Sequence, residues 1–195
     1  SSNHTCEGRN ISMSLVTDCQ ANAFLWQTKK KGIGWDSVEL NNCIKRNDND
    51  SLFIRNVPLL LNNIKFRCLT DTNNNGVFDD TSETVSFEVY RKPDAGFQIP
   101  DSHQCYSSNL FIFSNKSSVD SGYLYSFWDF GDGRSSNKKN PSHQYNSSGK
   151  FDVELIVTSD IGCSDTLSKP IYVDSMPVAN FYFNDSTQCL DKNKF

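Results

Sequence analysis

Runs in which apolar and polar residues alternate, each soon cut by turn-forming residues, constrain this chain more than any other feature. Ile11-Ser12-Met13-Ser14-Leu15 alternates cleanly, and Leu52-Phe53-Ile54-Arg55-Asn56-Val57 less so. Phe151-Asp152-Val153-Glu154-Leu155-Ile156-Val157 sets Phe151, Val153, Leu155 and Val157 on one face. A period of two residues is that of a strand with one buried face. Asn73-Asn74-Asn75-Gly76, Gly131-Asp132-Gly133 and Asn146-Ser147-Ser148-Gly149 separate such runs, supplying the residues that tight turns require. No segment holds a helical period for three turns without a breaker. The expected fold class is all-β, with strands recurring roughly every 8–12 residues as in β-sandwiches. The 195 residues accommodate two such domains, and 14 Phe, 7 Tyr and 3 Trp are available to fill their cores.

A repeat sets the organisation. Pro93-Asp94-Ala95-Gly96-Phe97 recurs 84 residues later as Pro177-Val178-Ala179-Asn180-Phe181, and Asp101-Ser102-His103-Gln104-Cys105 recurs as Asp185-Ser186-Thr187-Gln188-Cys189. Asn109 and Phe111 return as Asn193 and Phe195. Fixed spacing over three segments marks a tandem array. It predicts one domain over 1–91, a second over 92–174, and the opening strands of another copy of the second over 175–195. The joints, ending at Pro93 and Pro177, are short and restrict φ, so semi-rigid connections are expected.

Composition excludes several functions. The net charge is −4 and the isoelectric point about 5.3, which argues against a nucleic-acid partner. The longest apolar run, Val57-Pro58-Leu59-Leu60-Leu61, is far below the ~20 residues that cross a bilayer. Seven Cys stand at 6, 19, 43, 68, 105, 163 and 189, none in a C-x-x-C pair, and His4, His103 and His143 lie far apart. That spacing suits structural disulfides, and hence an extracellular or cell-surface location, better than a zinc or redox site. An odd count leaves one Cys over. Cys105 precedes the Leu110–Phe113 run and Cys163 follows the Phe151–Val157 run, so a Cys105–Cys163 disulfide is expected, with Cys189 left over.

Residues 93–173 resemble the PKD domain, an Ig-like β-sandwich, through Trp128-Asp129-Phe130-Gly131-Asp132-Gly133, Asn140-Pro141-Ser142-His143-Gln144-Tyr145 and Gly149-Lys150-Phe151-Asp152-Val153. The resemblance implies that Trp128 fills the core, that Asp129 and Asp132 cap turn amides, and that His143 is structural. The competing reading of the two aspartates is an acid/base pair or metal site. Residues 1–91 resemble a bacterial Ig-like domain more loosely, through Glu7-Gly8, Trp26 and Phe66-Arg67-Cys68. Leu15 stands where the usual strand-B Cys would, so Cys68 needs another partner. Cys-Glu-Gly openings in Ig-like repeats of secreted Bacteroidota proteins point to Cys6, which leaves Cys19 with Cys43. Four Cys permit three connectivities. The resemblance further implies a non-catalytic stalk or spacer of an adhesin-like or gliding-associated surface protein, whose partners are neighbouring repeats and other surface proteins or polysaccharide. The alternative is an accessory, substrate-engaging module of a secreted hydrolase. A further alternative is ligand binding by the Ig-like unit near Trp35, although packing at a sheet edge also explains that residue.

Asp71-Thr72-Asn73-Asn74-Asn75-Gly76-Val77-Phe78-Asp79 has the spacing of a calcium loop. Asp71, Asn73, Asn75 and Asp79 offer side-chain oxygens, Val77 a carbonyl, and Glu83 a further carboxylate. The other reading is an Asn-Gly hairpin turn needing no ion. Lys29-Lys30-Lys31 reads as a solvated strand end, or else a polyanion contact. No Ser or Cys nucleophile stands at a recognisable spacing from a His, so no catalytic residue is expected. Asp-(Ser/Thr)-apolar tripeptides, glycosylated in Bacteroidota exported proteins as a group, make Ser37, Ser51, Thr166, Ser175 and, with Thr allowed in the third place, Ser186 candidate O-glycan sites, all expected in turns or joints. Asn-x-Ser/Thr sequons at Asn3, Asn10, Asn49, Asn115, Asn146 and Asn184 would apply to a eukaryotic source.

Overall fold

The computed structural model describes residues 4–14, 23–29, 34–38, 44–47 and 51–180. Apart from two 3-10 turns, its regular elements are strands. In the first domain these are β1 (His4–Cys6), β2 (Ile11–Ser14), β3 (Ala23–Lys29), β4 (Trp35–Ser37), β5 (Ile44–Asn47), β6 (Ser51–Ile54), β7 (Lys65–Asp71), β8 (Asp80–Thr81), β9 (Val85–Ser86) and β10 (Glu88–Tyr90). In the second they are β11 (Phe97–Gln98), β12 (His103–Cys105), β13 (Phe111–Ile112), β14 (Ser114–Asn115), β15 (Leu124–Asp129), β16 (Ser135–Ser136), β17 (Ser142–His143), β18 (Gly149–Ser159) and β19 (Ser164–Asp174).

The first domain packs a β2-β6-β5 sheet against a β4-β3-β7-β8 sheet, with β9 also paired to β7. The strand period explains the packing. Leu52 and Ile54 alternate along β6, and Phe66, Cys68 and Thr70 along β7, all turned inward. With Trp26, Val57, Leu61 and Val89 the apolar members form one core. Trp35, on the edge strand β4, has the Arg67 guanidinium 4.1 Å from its ring centroid and Lys29 at 5.8 Å. Its ring is therefore a cation–π partner within the domain, as the edge-packing reading has it.

The second domain is built on a β12-β19-β18-β15-β16 sheet. Val153, Leu155 and Val157 alternate inward along β18, while Phe151 is half-buried. Trp128 lies at the centre, its Nε1–H donating to the Lys138 carbonyl at 3.0 Å and its ring edge-on to Phe97. The turn after it is held by its own carboxylates. Asp129 accepts the Gly131 amide at 2.8 Å, and Asp132 accepts the Arg134 amide at 3.1 Å. The second oxygen of Asp132 meets His143 Nε2 at 2.8 Å, and the His143 ring stacks on Phe130 at 4.0 Å. Tyr145 donates its hydroxyl to the Phe130 carbonyl, and burial pushes its phenol pKa well up. Both aspartates thus cap turn amides, as the turn reading has it, and Asp132 also holds His143.

Gly131 has φ of +77°, and a Cβ there would sit 2.8 Å from the Asp152 carbonyl oxygen on β18. Gly131→Ala should therefore cost about 2–4 kcal/mol, from left-handed strain plus a clash with backbone that cannot yield. Urea unfolding of the variant checks this. A shift below about 0.5 kcal/mol would contradict the packing described.

Candidate functional site at the domain joint

Most of the chemistry that sets this molecule apart lies between its two domains. β1 pairs in parallel with β10, in the register His4↔Glu88, Thr5↔Val89, Cys6↔Tyr90. This places Cys6 beside the last residue before the connecting segment, and the Glu7 amide donates to the Tyr90 carbonyl at 2.8 Å. From the second domain, the β18–β19 hairpin presents Cys163. Its turn is fixed by Ser159, whose hydroxyl oxygen accepts the Cys163 amide at 3.1 Å and whose amide donates to the Cys163 carbonyl at 2.8 Å. Cys6 and Cys163 form a disulfide between the domains, Cα–Cα 5.5 Å, across 157 residues of sequence. Both cysteines are buried. Arg9 adds a hydrogen bond from Nη2 to the Gly162 carbonyl at 3.5 Å.

This bond overturns both pairings expected for these residues. Cys105 pairs with Asp174 at the end of β19, whereas Cys163 immediately precedes its start. Eleven residues of strand put the two about 33 Å apart, far beyond the ~7 Å that a disulfide spans. Cys105 is exposed and has no disulfide partner among the described residues. Cys68 sits in mid-strand across from Trp26, inside the first core, while Cys6 is at the joint and bonded to Cys163. Cys19 and Cys43 lie outside the described residues.

The connecting segment is tied from its other side by Asp165. One carboxylate oxygen meets Lys92 Nζ at 2.9 Å and the other accepts the Ala95 amide at 2.9 Å. Burial works to raise the Asp165 pKa. The Ala95 amide, the Lys92 ammonium and the Thr166 amide outweigh it, leaving the carboxyl below its ordinary 3.8. A depressed pKa in the folded state stabilises the fold above the unfolded value and ceases to as pH falls through the folded one.

The other sequence candidates fall elsewhere. Thr70 pairs with Asp80, so residues 71–79 stand outside the antiparallel β7–β8 ladder as the nine-residue loop that joins the two strands. Asp71, Asn73, Asn75, Val77 and Asp79 come together there. Gly76, at φ +79°, donates its amide to Asp71 Oδ2 at 2.9 Å, Asn75 to Asn73 Oδ1 at 3.2 Å, and Val77 to Asn75 Oδ1 at 2.7 Å. The Thr72 amide and then its hydroxyl hold the Asp79 carboxyl below the ordinary carboxylate value. Glu83 is not in this group. Ser82 bonds Cys68 through its amide and its hydroxyl oxygen, and Val85 pairs with Phe66. Glu83 therefore lies at least three strand residues, about 10 Å, from Asp71. Among the glycan candidates, Ser37, Ser51 and Thr166 stand in strands rather than turns, with Ser37 and Thr166 exposed and Ser51 half-buried. Ser175 is exposed just past β19. Ser186 lies outside the described residues. Among the described residues no three His, Cys, Asp or Glu side chains gather to hold a metal, and no helix is long and apolar enough to cross a membrane.

Two outcomes follow for the joint. Replacing Cys6 and Cys163 together by Ser should remove a contribution of about 5 kcal/mol from the unfolded-state constraint and split thermal unfolding into two independent transitions. A single unshifted transition in calorimetry would contradict this. On acidification the Ala95 amide should lose its partner as Asp165 protonates below pH 3.8. Its NMR shift should follow that titration in the native chain and be flat in Asp165→Asn.

Comparison with known proteins places the second domain. Residues 91–174 match the family model described as PKD domain. Collagenase ColA of Clostridium perfringens is 32% identical over 116 residues, 55% of this chain and 10% of that protein. Pre-pro-metalloprotease PrtV of Vibrio cholerae is 41% identical over 68 residues, 34% of this chain and 7% of that protein. The chain thus spans a tenth or less of the curated relatives it matches. Among solved structures, the PKD1 domain of Vibrio cholerae PrtV is 34% identical, covering 43% of this chain and 98% of that one at a TM-score of 0.38. The N-terminal Ig domains of Dscam1 isoform 8.4 are 16% identical over 88% of this chain and 42% of that one, at 0.39. On the family match and the geometry of its Trp128–Gly133 turn, the second domain, residues 91–174, is a PKD domain, joined through a disulfide to an all-β first domain.

Proposed function

We propose that the chain is a non-catalytic spacer segment of a larger extracellular protein, with successive domains locked end to end. The carrying observation is the Cys6–Cys163 disulfide, which spans the joint rather than a single domain and persists only in an oxidising compartment. The joint is also built to be repeated. His103-Gln104-Cys105 in β12 pairs in parallel with Tyr172-Val173-Asp174 of the last strand, as His4-Thr5-Cys6 pairs with Glu88-Val89-Tyr90. In each case the histidine meets a tyrosine, His103 stacking on Tyr172 at 4.4 Å and His4 edge-on to Tyr90 at 5.9 Å. Cys105 therefore holds, toward a following unit, the position that Cys6 holds toward the PKD domain. In a longer chain carrying the next unit, non-reducing peptide mapping should link Cys105 to that unit's counterpart of Cys163. A Cys105 peptide recovered as a free thiol would contradict the repeating staple.

A second reading, an accessory module that engages the substrate of a secreted hydrolase, is favoured by one observation and by the hydrolase relatives. Tyr123, Tyr125 and Phe127 are 77%, 66% and 41% exposed. Tyr125 and Phe127 lie on the side of β15 opposite the buried Trp128, with Tyr123 immediately before the strand, and Phe127 has Ile156 across the ladder. A stripe of this kind suits a flat, repetitive ligand. Co-sedimentation with insoluble collagen, cellulose and chitin separates the two readings. Retention that is lost in Tyr123→Ser/Tyr125→Ser supports the accessory module, and passage without retention supports the spacer.

A further inference from the structure

The 71–79 loop carries an observation that neither packing nor the spacer role explains. Asp71 is only 3% exposed, and its Oδ1 is buried with no hydrogen-bond partner. Its other oxygen takes the Gly76 amide from across the loop, so the carboxylate is turned into the loop rather than out to solvent. A buried carboxylate oxygen without a donor carries its full desolvation cost, and among the described residues no salt bridge involves Asp71. A cation in the loop removes that cost.

We propose that residues 71–79 form a Ca²⁺ site, with Asp71 Oδ1, the side-chain oxygens of Asn73, Asn75 and Asp79, and the Val77 carbonyl as its protein ligands. Every donor in the set is oxygen, carboxylate, amide or carbonyl, which suits a hard cation and not zinc. Two carboxylates, Asp71 and Asp79, balance the charge of a divalent ion. Thr72 holds Asp79 through amide and hydroxyl at 3.0 Å each, facing it toward Asn73. Gly76 makes the sharp turn that brings Asn75 and Val77 back toward Asp71. The loop lacks the bidentate twelfth-position carboxylate of an EF-hand. Ser82 stands there and is bonded to the Cys68 backbone, and Glu83 lies along the strand. The affinity expected is therefore low, in the range of about 10⁻⁴–10⁻³ M found in extracellular modules.

Calorimetric titration of the whole chain with CaCl₂ tests the site, using Asp71→Asn and Asp79→Asn as variants and circular dichroism to confirm their folds. One saturable Ca²⁺ per chain, weakened at least tenfold in each folded variant, is the expected result. If Asp71→Asn does not fold, the exposed Asp79→Asn decides alone. No saturable heat up to about 10 mM Ca²⁺, or unchanged affinity in a folded variant, would overturn the proposal.

Discussion

The covalent bond between β1 and the β18–β19 hairpin determines how the rest of the molecule behaves. Each domain has its own core, one around Trp26 and Phe66 and the other around Trp128 and Phe113, so neither needs the other to bury its apolar face. Apart from the disulfide, what passes between them among the described residues is polar and sparse: Arg9 to the Gly162 carbonyl, and Arg91, at the start of the connecting segment, to Asp120. Contacts that few leave domains free to move. The disulfide alters that, because it fastens the first domain's opening strand to the second domain's tip, while the connecting chain leaves from the residue paired with Cys6. Two covalent paths bridge the joint, with Asp165 tying the segment back to β19.

This arrangement explains why the site is poor in chemistry yet rich in constraint. The carboxylates that a sequence reader notices are engaged in holding backbone. Asp129 and Asp132 cap the amides of the turn after Trp128, and Asp165 holds the linker. His143 is enclosed by Asp132, Phe130 and Tyr145. The outer face of β15 carries the exposed aromatic side chains of Tyr125 and Phe127.

Strand periodicity and turn chemistry were legible in the residues, because a period of two and the Trp128–Gly133 run act locally. The alternation over Ile11–Ser14 and over Phe151–Val157 appears in the structure with the inward faces expected of it. Disulfide partners were not legible in the same way. Cys105 and Cys163 flank strands of one domain, and only the register of β12 on β19 reveals that they occupy opposite poles. A usable signal did exist: His4-Thr5-Cys6 and His103-Gln104-Cys105 share a His-x-Cys pattern, which marks Cys6 as the counterpart of Cys105 rather than the partner of Cys68. That Asp71, Asn73, Asn75 and Asp79 share one loop was legible in their spacing. Glu83 was misplaced because the ladder resumes at Asp80 and carries it away from Asp71.

Backbone ¹⁵N relaxation of the 195-residue chain tests the central claim, that the two domains tumble as one body, most directly. The account predicts that a single rotational diffusion tensor fits the amides of β6–β10 and of β11–β19 together, and that Cys6→Ser separates them into two. Two distinct correlation times in the native, oxidised chain, unchanged by Cys6→Ser, would contradict it.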